Sequence, residues 1–211
     1  MKRAAKNPNT KNPGPMAFMR GLTFPGGQLP VIRGKTVYLR YPRMPDFLPW
    51  AKLRSESRDF LAPWEPLWAA DEFTKGAFRR RIKRYHKDAR QDTAYAFFVF
   101  RHEDDALLGG CTLSNVRRGV SQSCSLGYWM GERFGHRGYM FDAVCALIPF
   151  VFATLDLHRI EAACLPVNTP SRNLLLKAGF REEGLARAYL KINGDWQDHL
   201  LFALLAGEPP R

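Results

Sequence analysis

Neither of the common glycine-rich phosphate motifs occurs in this chain. A P-loop needs Gly, four residues, Gly, Lys and then Ser or Thr, and a dinucleotide fold needs Gly-X-Gly-X-X-Gly. Both are missing, which removes sequence support for mononucleotide and NAD binding. Asp156 is spaced plausibly for a ribose-binding acid, but it falls at a helix end before the next strand instead of at the end of that strand. Cysteine is scarce. Cys111, Cys124, Cys145 and Cys164 sit singly in apolar segments, which predicts free core thiols and excludes a disulfide framework or a zinc site. The five histidines are scattered without metal-ligand spacing. No apolar run is long enough for a bilayer: the longest, residues 143–155, is bounded by Asp142 and Asp156. No secretory signal precedes it, and the composition fits a cytoplasmic protein. No internal repeat appears, and 211 residues with 45% hydrophobic content can bury one sizeable core.

Acidic residues are absent from residues 1–30, where Lys2, Arg3, Lys6, Lys11 and Arg20 lie among five prolines and four glycines. That stretch has too little apolar content to fold alone and reads as a flexible basic arm. Residues 73–91 hold eight basic residues against Asp88. These two stretches account for the whole net charge of +12, so the remaining chain is neutral. In residues 73–91, Phe78, Ile82, Tyr85 and Ala89 share one helical face and leave Arg79, Arg80, Lys83, Arg84, Lys87 and Arg90 toward water. Such a face is either solvated surface or, together with the arm, a docking surface for RNA phosphates. Phe78 and Tyr85 are claimed by the core, so no aromatics are left there to stack bases.

What is present is concentrated in residues 126–140, Leu-Gly-Tyr-Trp-Met-Gly-Glu-Arg-Phe-Gly-His-Arg-Gly-Tyr-Met. An apolar strand runs into a Gly-broken loop that opens a helix, and helix-initial N–H groups with no partner bind a diphosphate. Gly135 and Gly138 permit close backbone approach, and Arg133, His136 and Arg137 add positive charge. A nearly all-apolar helix follows over residues 139–155, in which Pro149 removes a hydrogen bond and predicts a kink. Residues 158–164 read as a buried strand. Thr169 then suits an N-cap, Pro170 the first helical position and Gly179 the stop. A second polar helix start therefore flanks the same pair of parallel strands, making a groove for a long ligand with a charged end and a polar arm.

Elsewhere the pattern predicts a strand over 35–41, a helix over 45–59, strands over 93–100 and 106–114 joined by a polar turn, and a closing hairpin over 185–192 and 195–204 about Asn193-Gly194. The fold class is mixed α/β, with a mostly antiparallel sheet flanked by helices.

The strand, Arg/Gly loop and helix, followed by Asn168, Ser171 and Ala178-Gly179-Phe180, resemble the acetyl-CoA site of the GNAT superfamily. More narrowly, Phe60-Leu61-Ala62-Pro63-Trp64-Glu65-Pro66, Ser114-Asn115-Val116-Arg117-Arg118-Gly119, Gly138-Tyr139-Met140-Phe141, His158-Arg159-Ile160 and residues 189–199 resemble the ribosomal-protein alanine N-acetyltransferases of the RimJ type. The similarity spans roughly residues 34–205 in unbroken order. It implies a single GNAT-like N-acetyltransferase domain over residues 31–207, with acetyl-CoA as co-substrate and no metal. The implied acceptor is a protein N-terminal α-amine, that of the alanine of a small-subunit ribosomal protein, attacking directly in a ternary complex. The implied coenzyme contacts are Trp129, Met130, His136, Arg137, Gly138, Tyr139, Met140, Asn168, Ser171 and Asn173.

Two departures stand out. Gly135 and Met140 replace the loop's usual Gln or Arg and its Gly or Ala, and the tyrosine that many relatives use to protonate the thiolate falls at about Leu175. Ser171 is the substitute proton donor, or else simply a first-turn residue of its helix. Glu65 is the best acidic candidate for a base, with Glu161 second; Glu65 otherwise caps a turn, and Glu161 otherwise pairs with Arg159. Trp64, Glu65, Tyr189 and Asp198 are the candidate acceptor residues, with Trp196 and His199 of the same hairpin also able to line the mouth, although aromatics at strand positions also serve as core. Two alternatives remain: an acetyltransferase for a small-molecule amine, or a non-catalytic ribosome- or RNA-binding module on the same fold.

Overall fold

The computed structural model describes residues 30–208, so the predicted arm of residues 1–30 lies outside the described residues but for its last position. Eight strands form one sheet in the order β1-β2-β3-β4-β5-β6-β8-β7. In chain order they are β1 (Ile32–Arg33), β2 (Val37–Arg40), β3 (Tyr95–Arg101), β4 (Leu107–Arg117), β5 (Ser123–Met130), β6 (Arg159–Cys164), β7 (Arg181–Ile192) and β8 (Asp195–Leu205). Every neighbouring pair is antiparallel except β5 and β6. The short β1 has no counterpart in the sequence reading, because two residues cannot show an alternation.

β3 is buried on both faces, which explains why its sequence is almost continuously apolar. Phe98 faces one helical layer, with its ring 6.3 Å from Phe78, and Phe97 faces the other, with its ring 5.6 Å from Phe150. The first layer is α1 (Phe47–Glu56), α2 (Arg58–Leu61) and α3 (Lys75–Arg90). The predicted helix over 45–59 is broken at Ser57, whose hydroxyl accepts from the Glu132 amide at 3.0 Å and so ties this layer to the loop after β5. α3 begins at Thr74, whose side chain caps Ala77 N–H, and of the predicted face it buries Phe78, Ile82 and Ala89 while Tyr85 is half-buried.

On the opposite face α4 (Tyr139–Pro149) buries Met140, Ala143, Val144 and Leu147, the spacing of a single helical stripe. Instead of one kinked helix over 139–155, the α-helix ends at Pro149 and continues as a π-turn over Phe150–Thr154, where Leu155 N–H bonds to Phe150 C=O. Proline cannot supply the next i→i−4 donor, and the wider turn restores the bonding beyond it. Asp142 in the first turn of α4 accepts from the amides of Lys35 (3.0 Å), Thr36 (2.6 Å) and Val37 (3.3 Å) and from the Thr36 hydroxyl (2.8 Å). That carboxylate clamps the start of the site helix to the β1–β2 turn. The last helix, α5 (Thr169–Lys177), packs beside β6 and β7.

Candidate functional site

The loop into α4 has the predicted form. A 3₁₀ turn over Glu132–Phe134 leads to Gly135; His136 (φ 58°) and Gly138 (φ 80°) both take left-handed backbone, and Gly138 is the helix N-cap. The first intrahelical bond runs from Asp142 N–H to Gly138 C=O, so the amides of Tyr139, Met140 and Phe141 are not used by the helix. A Cβ on Gly138 would meet nothing within 4 Å, which leaves the approach to those amides open. His136 and Arg137 are exposed beside it. Arg133 is turned away: it pairs with Glu56 at 3.7 Å and lies over the Phe134 ring, so its charge is partly neutralised instead of free for an anion. The Met140 side chain points into the core, with its sulfur 3.5 Å from Cys111 Sγ, which leaves its backbone amide to the loop.

The groove beside this loop comes from strand register. β5 and β6 pair only from Ser123↔Arg159 to Leu126↔Ala162, after which β6 stays with β8 up to Cys164↔Leu200 and β5 stays with β4 up to Met130↔Gly109. The two parallel strands therefore diverge, and the inner edge of residues 127–130 has no strand beside it. A cavity of about 790 Å³ fills this wedge, walled by β5, the α4 loop, the end of β6 and the start of α5. All the expected coenzyme contacts line it: Trp129, Met130 and residues 136–140 on one side, and Asn168, Ser171 and Asn173 on the other.

Asn168, and not Thr169, is the N-cap of α5; its Oδ1 accepts from Ser171 N–H at 3.1 Å. Asn reaches the third amide from the non-helical position before Thr169, which places Pro170 one residue further in. Asn168 lines the cavity, and the cap engages its oxygen. Ser171 Oγ is 2.9 Å from the Tyr128 hydroxyl. Burial pushes the Tyr128 phenol well above its ordinary value, with Ser171 acting in the opposite sense, so the phenol keeps its proton. Cys164 also lines this end, and burial raises its thiol. Burial pushes Cys111 and Cys124 up to about 12. All four cysteines are free, as expected, and protonated thiols make poor nucleophiles.

At the other end of the cavity, Trp64 and Glu65 come from the turn after α2. Glu65 already has partners. Arg54 donates to both its oxygens, at 3.1 Å to Oε1, and Trp68 Nε1 donates to Oε2 at 2.7 Å. The Arg54 guanidinium is buried between the rings of Trp68 (4.5 Å) and Trp129 (4.9 Å), and its Nε has no hydrogen-bond partner. Asn193 N–H bonds to Glu65 C=O, joining this turn to the β7–β8 hairpin. The pair lowers the charge at the mouth and fixes Glu65 in place, leaving Oε1 room for one further donor. Glu161 pairs with Arg159 at 2.9 Å, the expected alternative to a base.

Tyr189 and Asp198 do not line the cavity. Tyr189 is half exposed with its ring edge against His199, and Asp198 accepts from Ala188 N–H at 2.8 Å, holding an irregular step in β7 where Ala188 has φ 46°. Of the four hairpin residues expected at the mouth, His199, buried and bonded to Gln197 C=O, does line the cavity, whereas Trp196 is exposed. The sequence reading omits Tyr128, Arg54 and the Gly109-Gly110 pair. Gly110 has a signal only in retrospect: a Cβ there would lie 2.6 Å from Trp129 Nε1, so glycine is what lets that indole lie across β4. Among the described residues no group of His, Cys, Asp and Glu is placed to hold a metal ion.

An anion-binding helix start, a strand wedge and a hydroxyl pair at its far end suit a ligand with a diphosphate and an extended arm. Comparison with known proteins agrees. Residues 36–181 match the family described as "Acetyltransferase (GNAT) domain". The chain is 38% identical over 175 residues to the "Probable N-acetyltransferase YjcK" of Bacillus subtilis (strain 168), covering 83% of this chain and 97% of that one. It is 37% identical over 150 residues to the "[Ribosomal protein uS5]-alanine N-acetyltransferase" of Escherichia coli (strain K12), covering 71% and 77%. Among solved structures, "Mycobacterium smegmatis RimJ in complex with CoA-disulfide" superposes with a TM-score of 0.79 at 34% identity, covering 86% of this chain and 88% of that one. The chain belongs to the GNAT family of N-acetyltransferases and is of its RimJ-like ribosomal-protein type.

Proposed function

We propose that this enzyme transfers acetyl from acetyl-CoA to the α-amine of a ribosomal protein, the N-terminal alanine of a small-subunit protein. The observation that carries the reading is the continuous wedge from the unused amides of α4 to the Tyr128–Ser171 pair, with Trp64 and Glu65 at its mouth. The diphosphate sits on the Gly138 turn and the first amides of α4, with His136 and Arg137 beside it. The pantetheine arm lies along the free edge of residues 127–130, where it can pair as a strand would, and Asn168 donates to one of its carbonyls.

The attacking nitrogen must be neutral. An α-amine has a pKa of about 7.7 to 8.0 against about 10.4 for lysine, so roughly a tenth of it is free base at neutral pH and a strong base is unnecessary. This suits a site whose one lining carboxylate among the described residues, Glu65, is already bonded to Arg54 and Trp68. It also disfavours small polycationic acceptors, which would want a free carboxylate at the mouth. Glu65 Oε1 receives one N–H of the amine and orients it. A backbone N–H of the Trp129–Met130 edge donates to the oxygen of the tetrahedral adduct. When the C–S bond breaks, its electron pair goes to sulfur and Ser171 Oγ–H supplies the proton; the proton shed by nitrogen returns to Ser171 through solvent. With the thiols held protonated, direct attack in a ternary complex is favoured over an acyl-cysteine.

The exposed face of α3 supports docking on ribosomal RNA. Arg80 and Arg81 are paired with Asp71 and Glu72, but among the described residues Arg79, Lys83, Lys87 and Arg90 have no anionic partner. They form a stripe that suits phosphates without reading sequence. Mass spectrometry of small-subunit ribosomal proteins from cells with and without this enzyme tests the acceptor. One Ala-starting protein should lose a single acetyl group when the enzyme is removed; an unchanged set of N-termini would rule this acceptor out.

A further inference from the structure

Two bonds hold Ser171 from opposite sides. Asn168 Oδ1 fixes its backbone N–H at 3.1 Å, and Tyr128, projecting from β5 across the wedge, reaches its Oγ at 2.9 Å. The Tyr128 hydroxyl also lies 3.4 Å from the Ser171 carbonyl oxygen, so its one proton has two acceptors within reach. A serine hydroxyl has one proton and two lone pairs. If Ser171 donated to Tyr128, with Tyr128 donating to the carbonyl, the serine proton would be spent inside the protein. If Tyr128 donates to Oγ, the shorter of its two contacts, the serine proton is left for the cavity, where the Cys164 thiol beside it is only a weak acceptor.

We propose that Tyr128 is the positioning residue of this site: by donating to Ser171 Oγ it aims the serine proton at the sulfur leaving the thioester. This rests on the role given above to Ser171. A thiolate forming in the wedge selects that arrangement, because it offers Ser171 Oγ–H an anionic acceptor that the Tyr128 oxygen cannot match. Tyr128 acts through Ser171: its hydroxyl lies against Ser171 Oγ at 2.9 Å, and burial keeps the phenol protonated and so able to donate that bond. Its task is directional. Without its hydroxyl, Ser171 Oγ is free to rotate toward its own helix, as serines in a first helical turn do.

The test is thiol release from acetyl-CoA by wild type, Tyr128→Phe, Ser171→Ala and the double variant. It is measured with an Ala-starting peptide and, separately, with water as the acceptor in the slow hydrolysis of the thioester. Tyr128→Phe should lower kcat about tenfold or more while the Kd for coenzyme A by calorimetry stays within about twofold. In the Ser171→Ala background the same change should do nothing further, because the two residues act as one unit. An unchanged kcat overturns the inference, and so does a loss that persists in the Ser171→Ala background or a parallel loss of coenzyme affinity, either of which makes Tyr128 ordinary packing. No turnover of the peptide with hydrolysis still showing the non-additive pattern rejects the acceptor while leaving Tyr128 in its role.

Discussion

At the scale of single residues the site depends on positions where a side chain is either forbidden or already committed. Gly138 is forbidden one: its φ of 80° costs an L-residue on the order of 1–2 kcal/mol, and its open surroundings are the approach to the α4 amides. Gly138→Glu should abolish coenzyme binding by calorimetry, since it adds strain, bulk and a negative charge at the diphosphate; an unaltered affinity would move the diphosphate elsewhere. Asn168 is committed: its Oδ1 caps α5, and in the proposed function its amide nitrogen also meets the ligand. Asn168→Ala should therefore cost about 1 kcal/mol of stability in denaturant melts and raise the KM for acetyl-CoA. A change in only one of the two would separate the cap from the ligand contact. The family resemblance proposed Asn168 as a coenzyme contact, while the sequence pattern assigned the cap to Thr169, because both residue types cap helices and only the backbone angle before α5 distinguishes them.

At the scale of elements, α4 is oriented by a charged clamp. Burial raises the Asp142 carboxyl, but the Thr36 and Lys35 amides and the Thr36 hydroxyl outweigh it and hold the group below its ordinary value. A carboxylate depressed on folding contributes fully above its unfolded pKa of about 3.9, and that contribution is lost as pH falls through the folded value. Asp142→Asn should lower Tm by a few degrees at pH 7, and the gap from wild type should close as pH drops below about 4. A gap independent of pH would mean that packing, and not charge, makes the clamp. Helix and strand boundaries within this framework followed from periodicity wherever one face is buried, as in α3 and α4. They failed at Ser57 and after Pro149, where a side-chain bond to a distant amide and a missing N–H redirect the backbone.

For the whole molecule, the charge distribution separates the cavity from the basic face of α3. The cavity wall carries His136, Arg137 and Lys177 near the start of α4, whereas the unpaired cations of α3 cover a different element on the sheet's opposite layer. Replacing Lys83, Arg84 and Lys87 with Glu should leave acetylation of a free Ala-starting peptide unchanged and weaken ribosome association. The slope of log K against log salt should flatten by roughly one per cation that meets a phosphate. Equal binding of both proteins at low salt would show that α3 is merely solvated surface.

Local chemistry was enough to place the Gly-broken loop at the start of α4, the free thiols and most of the strands and helices, because those depend on residue types at short spacing. The family resemblance added the coenzyme, and every coenzyme contact drawn from it lines the cavity. What local chemistry could not reveal is distance across the sheet. Tyr128 meets Ser171 over 43 residues of chain, and Arg54 finds Glu65 between two indoles. In the same way, of the hairpin residues expected at the mouth His199 lines the cavity and Tyr189 and Asp198 do not, since alternate strand positions face opposite ways and an irregular step in β7 shifts the register. Such meetings follow from strand register and packing, in which each residue's neighbours are chosen by the burial of all the others.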